Sequence, residues 1–357
     1  MRTFAAQGGI LKLWATKLRA QSLRIPPEVG PGDSPRPDRR LVLRLVLGGA
    51  MAGATGSLAG CRIVLEDDVA EVPVLPLPTR EPIPAEEPLL WLLRDCHQLA
   101  DTTVAEAALY AEQRAVLRTA LYRAGVPIGT IDAALTEATA PTETAEPTFT
   151  SPRGPAAALR RLPDLVECGG GLYPLVIAIL AQRWATVDLS GALIPVQAAV
   201  EDPDHSWPEP ERAVAFVQVT DPSRYGFQVV TAQARDETRE AALAALARID
   251  LLRREQEARS GGTAPGPQIG YPLPLRVDSE ESAHELATAV LTDLVDGYAA
   301  LLSTMTNSDR QQTAPDLVRW LGTVAALGTG FGVALTAFPG MSTPQSADPT
   351  TEPTESP

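Results

Sequence analysis

The stretch 278-DSEESAHELATAVLTDLVDGYAALLSTM-305 decides the fold class. Its apolar residues Leu286, Val290, Leu294, Tyr298 and Leu301 recur every three or four positions, so a helix gathers them into one stripe. Asp278 or Ser279 stands in front as an N-cap, with Glu280 and Glu281 in the first turn, where the helix dipole favours acids. Such a helix must bury its stripe against other elements. Ala and Leu dominate the chain and aromatics make up only 5% of it, which favours other helices over a sheet as partners.

Outward from this stretch, helical periodicity predicts a last helix over Ala314–Phe338, closed by Pro339-Gly340, and a long helix over Arg224–Arg259. A Gly/Pro-rich turn at Ser260–Pro274 joins the latter to the quoted stretch. A short helix over Glu211–Val219 follows the polar loop Glu201–Pro210. Further forward, Ala156–Cys168 and Pro174–Trp184 read as helices broken at Gly169-Gly170-Gly171. No Lys-Ser/Thr follows that triple glycine, so it is a break and not a phosphate loop. Glu87–Tyr122 reads as one helix stopped by Gly125 and Pro127, and Ile131–Ala138 as a short one, with a Thr/Pro/Glu-rich linker at 142–154. These elements group into an N-terminal helical region, 87–200, and a C-terminal helical domain, 211–341; the Ser/Thr/Pro-rich, acidic tail 342–357 is expected to be disordered. Trp320–Phe338 carries no charge and contains Gly328-x-x-x-Gly332, a spacing used by membrane dimers. Its central Gly and Thr residues make it weakly apolar, and a bundle helix is preferred to a span.

The front of the chain has a different character. Asp38-Arg39-Arg40 leads into Leu45–Gly60, which is free of charge, and then Cys61. A basic stretch, a short apolar run and a small-residue end form the layout of an export signal, whereas a membrane helix needs about 20 strongly apolar residues. Arg39-Arg40 with Leu43 and Arg44 resembles the twin-arginine signal, with Val42 at the position usually held by Phe. Leu58-Ala59-Gly60-Cys61 resembles the bacterial lipobox, which implies cleavage before Cys61 and a diacylglyceryl group on its thiol. The competing reading is an uncleaved anchor helix with an incidental cysteine. On either reading the body is expected on the extracytoplasmic face of the cell membrane. Residues 1–37 form an extension of unclear role, 38–60 the signal and 61–86 a stalk punctuated by Pro73, Pro76, Pro78, Pro82 and Pro84.

Residues 61–357 hold 21 basic and 41 acidic residues, a formal charge of −20. Such a surface repels nucleic acid and anionic headgroups, so the expected membrane contact is the acylated Cys61. Cys96 and Cys168 remain, as a disulfide or as two buried thiols.

From Tyr225 to Met341 the chain resembles the ferritin-like domain of an uncharacterised family of actinobacterial lipoproteins. The resemblance is carried by the Ala/Arg helix 241–255, the turn Gly270-Tyr-Pro-Leu-Pro-Leu-Arg-Val-Asp278, Leu294 with Tyr298-Ala-Ala-Leu301, and Ala337-Phe-Pro-Gly-Met341. It covers about a third of the chain and implies an all-α fold, an antiparallel ferritin-like bundle with the earlier helices beside it. Di-iron bundles use Glu-x-x-His pairs on facing helices. With three histidines in the chain, only Glu281-Ser-Ala-His284 has that spacing, and it lies in a helix first turn, where a solvated capping role is expected. The Glu-His pair that the lipoprotein family often shows is replaced here by Asp221-Pro-Ser-Arg-Tyr225. His97 follows Arg94, and His205 sits in the loop Asp202-Pro-Asp-His-Ser-Trp-Pro. No Gly-x-Ser-x-Gly elbow is present, and Cys96 and His97, adjacent on a helix, diverge too far to act together. The expectation is therefore a non-catalytic binding or scaffolding module without a cofactor, with an envelope protein as partner. The alternatives are a metal- or cofactor-binding ferritin-like protein using Glu281 and His284, and an enzyme acting on envelope components.

Overall fold

The first contact that shapes the fold is a steric one between the helices Pro210–Gln233 and Glu280–Leu302. A Cβ on Gly297 would lie 2.5 Å from Val219 Cγ1, and one on Gly226 would lie 2.8 Å from Val290 Cγ2, so glycine on each helix admits a valine from the other. The computed structural model describes residues 80–102, 104–138, 154–192, 206–305 and 310–341. Residues 1–79, on which the expected signal, lipobox and most of the expected stalk fall, and the tail from 342 lie outside the described residues.

Helices account for 70% of the described residues, and no strand occurs among them. In chain order they are α1 (Glu86–Ala100), α2 (Ala107–Arg123), α3 (Ile128–Ala138), α4 (Pro155–Arg160), α5 (Leu162–Leu165), α6 (Tyr173–Leu189), α7 (Pro210–Gln233), α8 (Asp236–Arg259), α9 (Glu280–Leu302) and α10 (Arg310–Thr329). The all-α expectation holds. They belong to one compact unit, Leu77–Pro357.

Pairs of contacting residues give the helix directions. Thr220 meets Gln256 and Arg224 meets Asp250, so α7 and α8 run antiparallel. The two glycine contacts make α7 and α9 antiparallel as well, and Glu255 with Arg319 and Arg259 with Asp316 do the same for α8 and α10. Hence α8 and α9 point the same way, and residues 260–279 must cross from one end of the bundle to the other. A four-helix bundle with one such long crossover has the ferritin-like connectivity. Beside it, α6 lies parallel to α10: Arg310 stands over the Tyr173 ring, while Trp184 Nε1 donates to Thr323 Oγ1 at 3.2 Å. The hairpin α1–α2 and the short α3 and α4 pack on this core, around fully buried Leu92, Leu93, Leu117 and Val176.

Several boundaries differ from the periodicity reading. The helix expected over Glu87–Tyr122 is two helices, since Asp101 and Thr102 stop α1: Thr102 Oγ1 bonds the Leu99 carbonyl at 2.6 Å, competing with the helical ladder. The short helix over 211–219 and the long one over 224–259 divide elsewhere, because α7 continues through Pro222. That proline forfeits one backbone bond, and buried Phe216, Val217, Phe227 and Val230 on both sides of it keep the helix on the core. Finally α10 stops at Thr329 and not near Phe338. Gly332 has φ +80°, the Val333 amide donates to the Gly328 carbonyl at 2.9 Å and the Gly332 amide to the Thr329 carbonyl at 3.3 Å. This is a Schellman end, which needs a left-handed residue at that point. The Gly328-x-x-x-Gly332 spacing thus terminates a helix, and among the described residues no helix is long and apolar enough to cross a membrane.

Helix α9 begins as the sequence requires. Ser279 Oγ accepts from the Ser282 amide at 3.1 Å and Ser282 Oγ accepts from the Ser279 amide at 3.0 Å, a capping box with serine in both roles. The α7–α9 contact yields a prediction. Gly297→Ala will lower the unfolding free energy by about 1–3 kcal/mol in urea titrations, the usual cost of overpacking, and Val219→Ala added to it will restore most of the loss. Equal losses in the single and the double variant would show that this contact does not set the spacing.

Candidate functional site

At the centre of the bundle three helices meet through neutral polar side chains. Gln256 on α8 donates through Nε2 to Tyr298 Oη at 2.6 Å, the Tyr298 hydroxyl lies 2.6 Å from Thr220 Oγ1, and Thr220 donates to Gln256 Oε1 at 2.8 Å. Within that closed ring each hydroxyl donates once and accepts once, which is what a hydroxyl needs when water is excluded. All three residues are fully buried. Burial pushes the Tyr298 phenol up to about 12, so it stays a neutral donor.

One turn away, charge enters the core. Asp316 on α10 accepts from Arg259 Nε at 2.7 Å and Trp207 Nε1 at 3.0 Å on one oxygen, and from Arg319 Nη2 at 3.0 Å on the other. Arg319 also pairs with Glu255, whose carboxylate takes the Trp320 indole N–H at 3.1 Å. Trp207 stacks on Trp320 with ring centroids 5.1 Å apart, and Phe216 packs against both. Two arginines and two acids cancel. A di-iron bundle offers carboxylates and imidazoles to the metal from this region; here the acids are already engaged by arginine and indole donors, and the remaining polar groups are a hydroxyl pair and an amide. The donor set does not suit iron or manganese.

The second polar assembly joins the N-terminal helices to the bundle. Arg183 of α6 is completely buried, its guanidinium lies over the Tyr110 ring at 3.9 Å, and Nη2 is 3.3 Å from both Asp95 Oδ2 and Cys96 Sγ on α1. Its Nε and Nη1 find no hydrogen-bond acceptor among the described residues. Beside it Gln113 of α2 donates to Gln182 Oε1 at 3.0 Å and to the Ala337 carbonyl at 2.8 Å, and Gln182 donates to Thr186 Oγ1 at 2.8 Å. Burial, opposed by the attraction of Arg183, pushes the Asp95 carboxyl up to about 6. Burial likewise pushes the Cys96 and Cys168 thiols up to about 11.

The sequence-level candidates fall in other places. Glu281 and His284 are exposed in the first turn of α9, with the His284 ring 6.0 Å from that of Phe331, and no group of three metal-ligating side chains is found among the described residues. Cys96 and Cys168 are free thiols, so the disulfide considered between them is not made. Cys61, Arg39, Arg40, Leu58, Ala59 and Gly60 lie outside the described residues, as does His205. Periodicity alone missed Arg183, Asp95 and the Asp316 network. A lone arginine in the apolar run Leu175–Val187, and another in Leu317-Val-Arg-Trp-Leu321, were the available signals, since a charge placed on an apolar face requires a buried counter-charge. A groove of about 400 Å³ between α1 and α3 has Leu90 on its floor and Glu87, Arg94 and Glu137 on its rim, with Arg94 and Glu137 paired at 2.7 Å.

Residues 220–343 match the family described as Domain of unknown function (DUF4439). No curated protein and no solved structure matches the chain. The DUF4439 segment starts in the middle of α7 and takes in α8, α9 and α10, so the central ring and the Asp316 network are built almost entirely inside it. Trp207, α6 and the Arg183 assembly lie ahead of it, and the Ala337 carbonyl is the point at which Gln113 ties the two parts together.

A titration follows from Asp95. Its folded pKa of about 6 lies above the ordinary 3.8, so folding favours the protonated form; that contribution is complete below about pH 4 and is lost as pH rises through 6. Urea unfolding of the native chain and of Asp95→Asn, stepped from pH 4 to pH 7, should show the native chain losing stability relative to the variant. A constant difference across that range would exclude the titration.

Proposed function

We propose that this chain is a lipid-anchored extracytoplasmic protein whose helical body serves as a non-catalytic binding or scaffolding module of the cell envelope. The observation that supports a non-catalytic body most directly is the closed Thr220–Gln256–Tyr298 ring, backed by the charge-balanced Asp316 network. In catalytic ferritin-like bundles this central region must present unsaturated ligands, whereas here the hydroxyls and the amide are turned on one another and the acids on arginine and indole donors. The groove between α1 and α3 lies at the surface, and of its three glutamates Glu87 is exposed while Glu86 and Glu137 are already paired with Arg80 and Arg94. The reading of address rests on the sequence alone: the Arg39-Arg40 export signal, the lipobox Leu58–Cys61 and a charge of −20 over residues 61–357, which leaves the acyl group as the membrane contact. The resemblance to actinobacterial lipoproteins agrees with that address.

Two measurements test the proposal. In a bacterial host with a lipoprotein pathway, the native chain should partition with membranes and its mature form should begin at an acylated Cys61; Cys61→Ser should leave it uncleaved and free of acyl mass. Unchanged partitioning and processing in Cys61→Ser would overturn the anchor. For the body, elemental analysis of purified protein should give less than about one-tenth of an equivalent of transition metal, and Glu281→Ala and His284→Ala should leave that value unchanged. A stoichiometric metal lost in either variant would overturn the binding-module reading.

A further inference from the structure

One face of α8 is left over after the bundle is built. Glu240, Leu243, Ala247, Leu251 and Arg254 all fall within a sector of roughly 80° on the helix, at about 100° per residue, and that sector lies opposite the buried face. All five residues are exposed, and both leucines keep 50% of their surface in water. An apolar stripe on the outer face of a bundle helix is unusual, because that face is normally charged.

The order of residues along the stripe says what covers it. Leu243 and Leu251 stand four residues on either side of Ala247, and Glu240 and Arg254 stand seven residues on either side. A twofold axis through Ala247 in an antiparallel helix pair therefore sets Leu243 of one copy against Leu251 of the other. The same operation sets Glu240 of one copy against Arg254 of the other, and it does so twice. Alanine at the axis lets the helices approach to about 8 Å, the close end of the range for helix pairs. Among the described residues neither Glu240 nor Arg254 forms an ion pair; the Arg254 Nε contact is to the Asp250 carbonyl, at 3.3 Å. A twofold contact needs one patch that complements itself, and this stripe is palindromic in both size and charge.

We propose that two copies of this chain associate through α8, antiparallel about Ala247, with Leu243 packed on Leu251 and Glu240 paired with Arg254 across the axis. The contact spans about four helical turns, which is small for an obligate dimer and suits reversible self-association. It does not depend on the lipid anchor.

The test uses the full chain carrying Cys61→Ser, which removes the one cysteine outside the buried pair. Adding Ala247→Cys should give a disulfide-linked dimer under mild oxidation, whereas Glu285→Cys, exposed on α9, should stay monomeric under the same conditions. In sedimentation velocity, Glu240→Arg should weaken self-association roughly tenfold, because two attractive pairs become repulsive, and Arg254→Glu added to it should restore it. Equal cross-linking at 247 and 285, a sedimentation coefficient that stays monomeric over the whole concentration series, or a charge exchange that fails to restore association would each overturn the proposal. Glu240, Ala247, Arg254 and Glu285 are all exposed, and an unchanged helical circular-dichroism spectrum separates loss of contact from loss of fold.

Discussion

Arg259 and Arg319 are buried between α8 and α10 only because Asp316 and Glu255 are there to receive them. An isolated ion in that position would cost several kcal/mol, and removing one partner from such a pair leaves the other uncompensated. Asp316 therefore constrains three elements at once. It holds α8 through Arg259, its own helix through Arg319, and the approach to α7 through the indole of Trp207. The bundle's fourth side is built from large polar and aromatic side chains, while the opposite side, α7 against α9, is built from glycine and valine. One seam is wide and electrostatic, the other narrow and steric.

The same principle recurs where α6 meets the N-terminal helices. Arg183 is received by one carboxylate, Asp95, and by the face of Tyr110, and part of its guanidinium has no acceptor among the described residues. Burial and the arginine pull the Asp95 proton in opposite directions, with burial the larger effect. This junction is consequently less satisfied than the Asp316 network. The neutral ladder Gln113–Gln182–Thr186, with the Ala337 carbonyl, runs beside it and fixes the relative register of α2, α6 and the segment after α10.

Ser279 as a cap, the apolar stripe of α9 and the break at Gly169–Gly171 were all readable, because capping and periodicity are local properties. Glu87–Tyr122 reads as one helix because its alternation of Ala, Leu and charged residues continues across Asp101-Thr102, and a periodicity count weighs a short polar dipeptide lightly. Residues 220–223, left between the expected helices Glu211–Val219 and Arg224–Arg259, are helical in α7, because the packing of Phe216 and Phe227 carries the helix through Pro222. Gly328 and Gly332 suggested a membrane contact by spacing, while the backbone uses Gly332 as a left-handed residue that ends a helix.

By itself the sequence determined that the body is helical, where α6 and α9 begin, and that an all-arginine, acidic chain follows a lipobox-like cysteine. Those features depend on neighbours within a few residues, so composition, capping and period report them directly. Only the tertiary structure decided that α8 and α9 run parallel across a long crossover, that Thr220, Gln256 and Tyr298 close on one another, and that one face of α8 is left uncovered. Each joins residues tens of positions apart, and which polar group meets which is set by the packing of whole helices, a property that no local window contains.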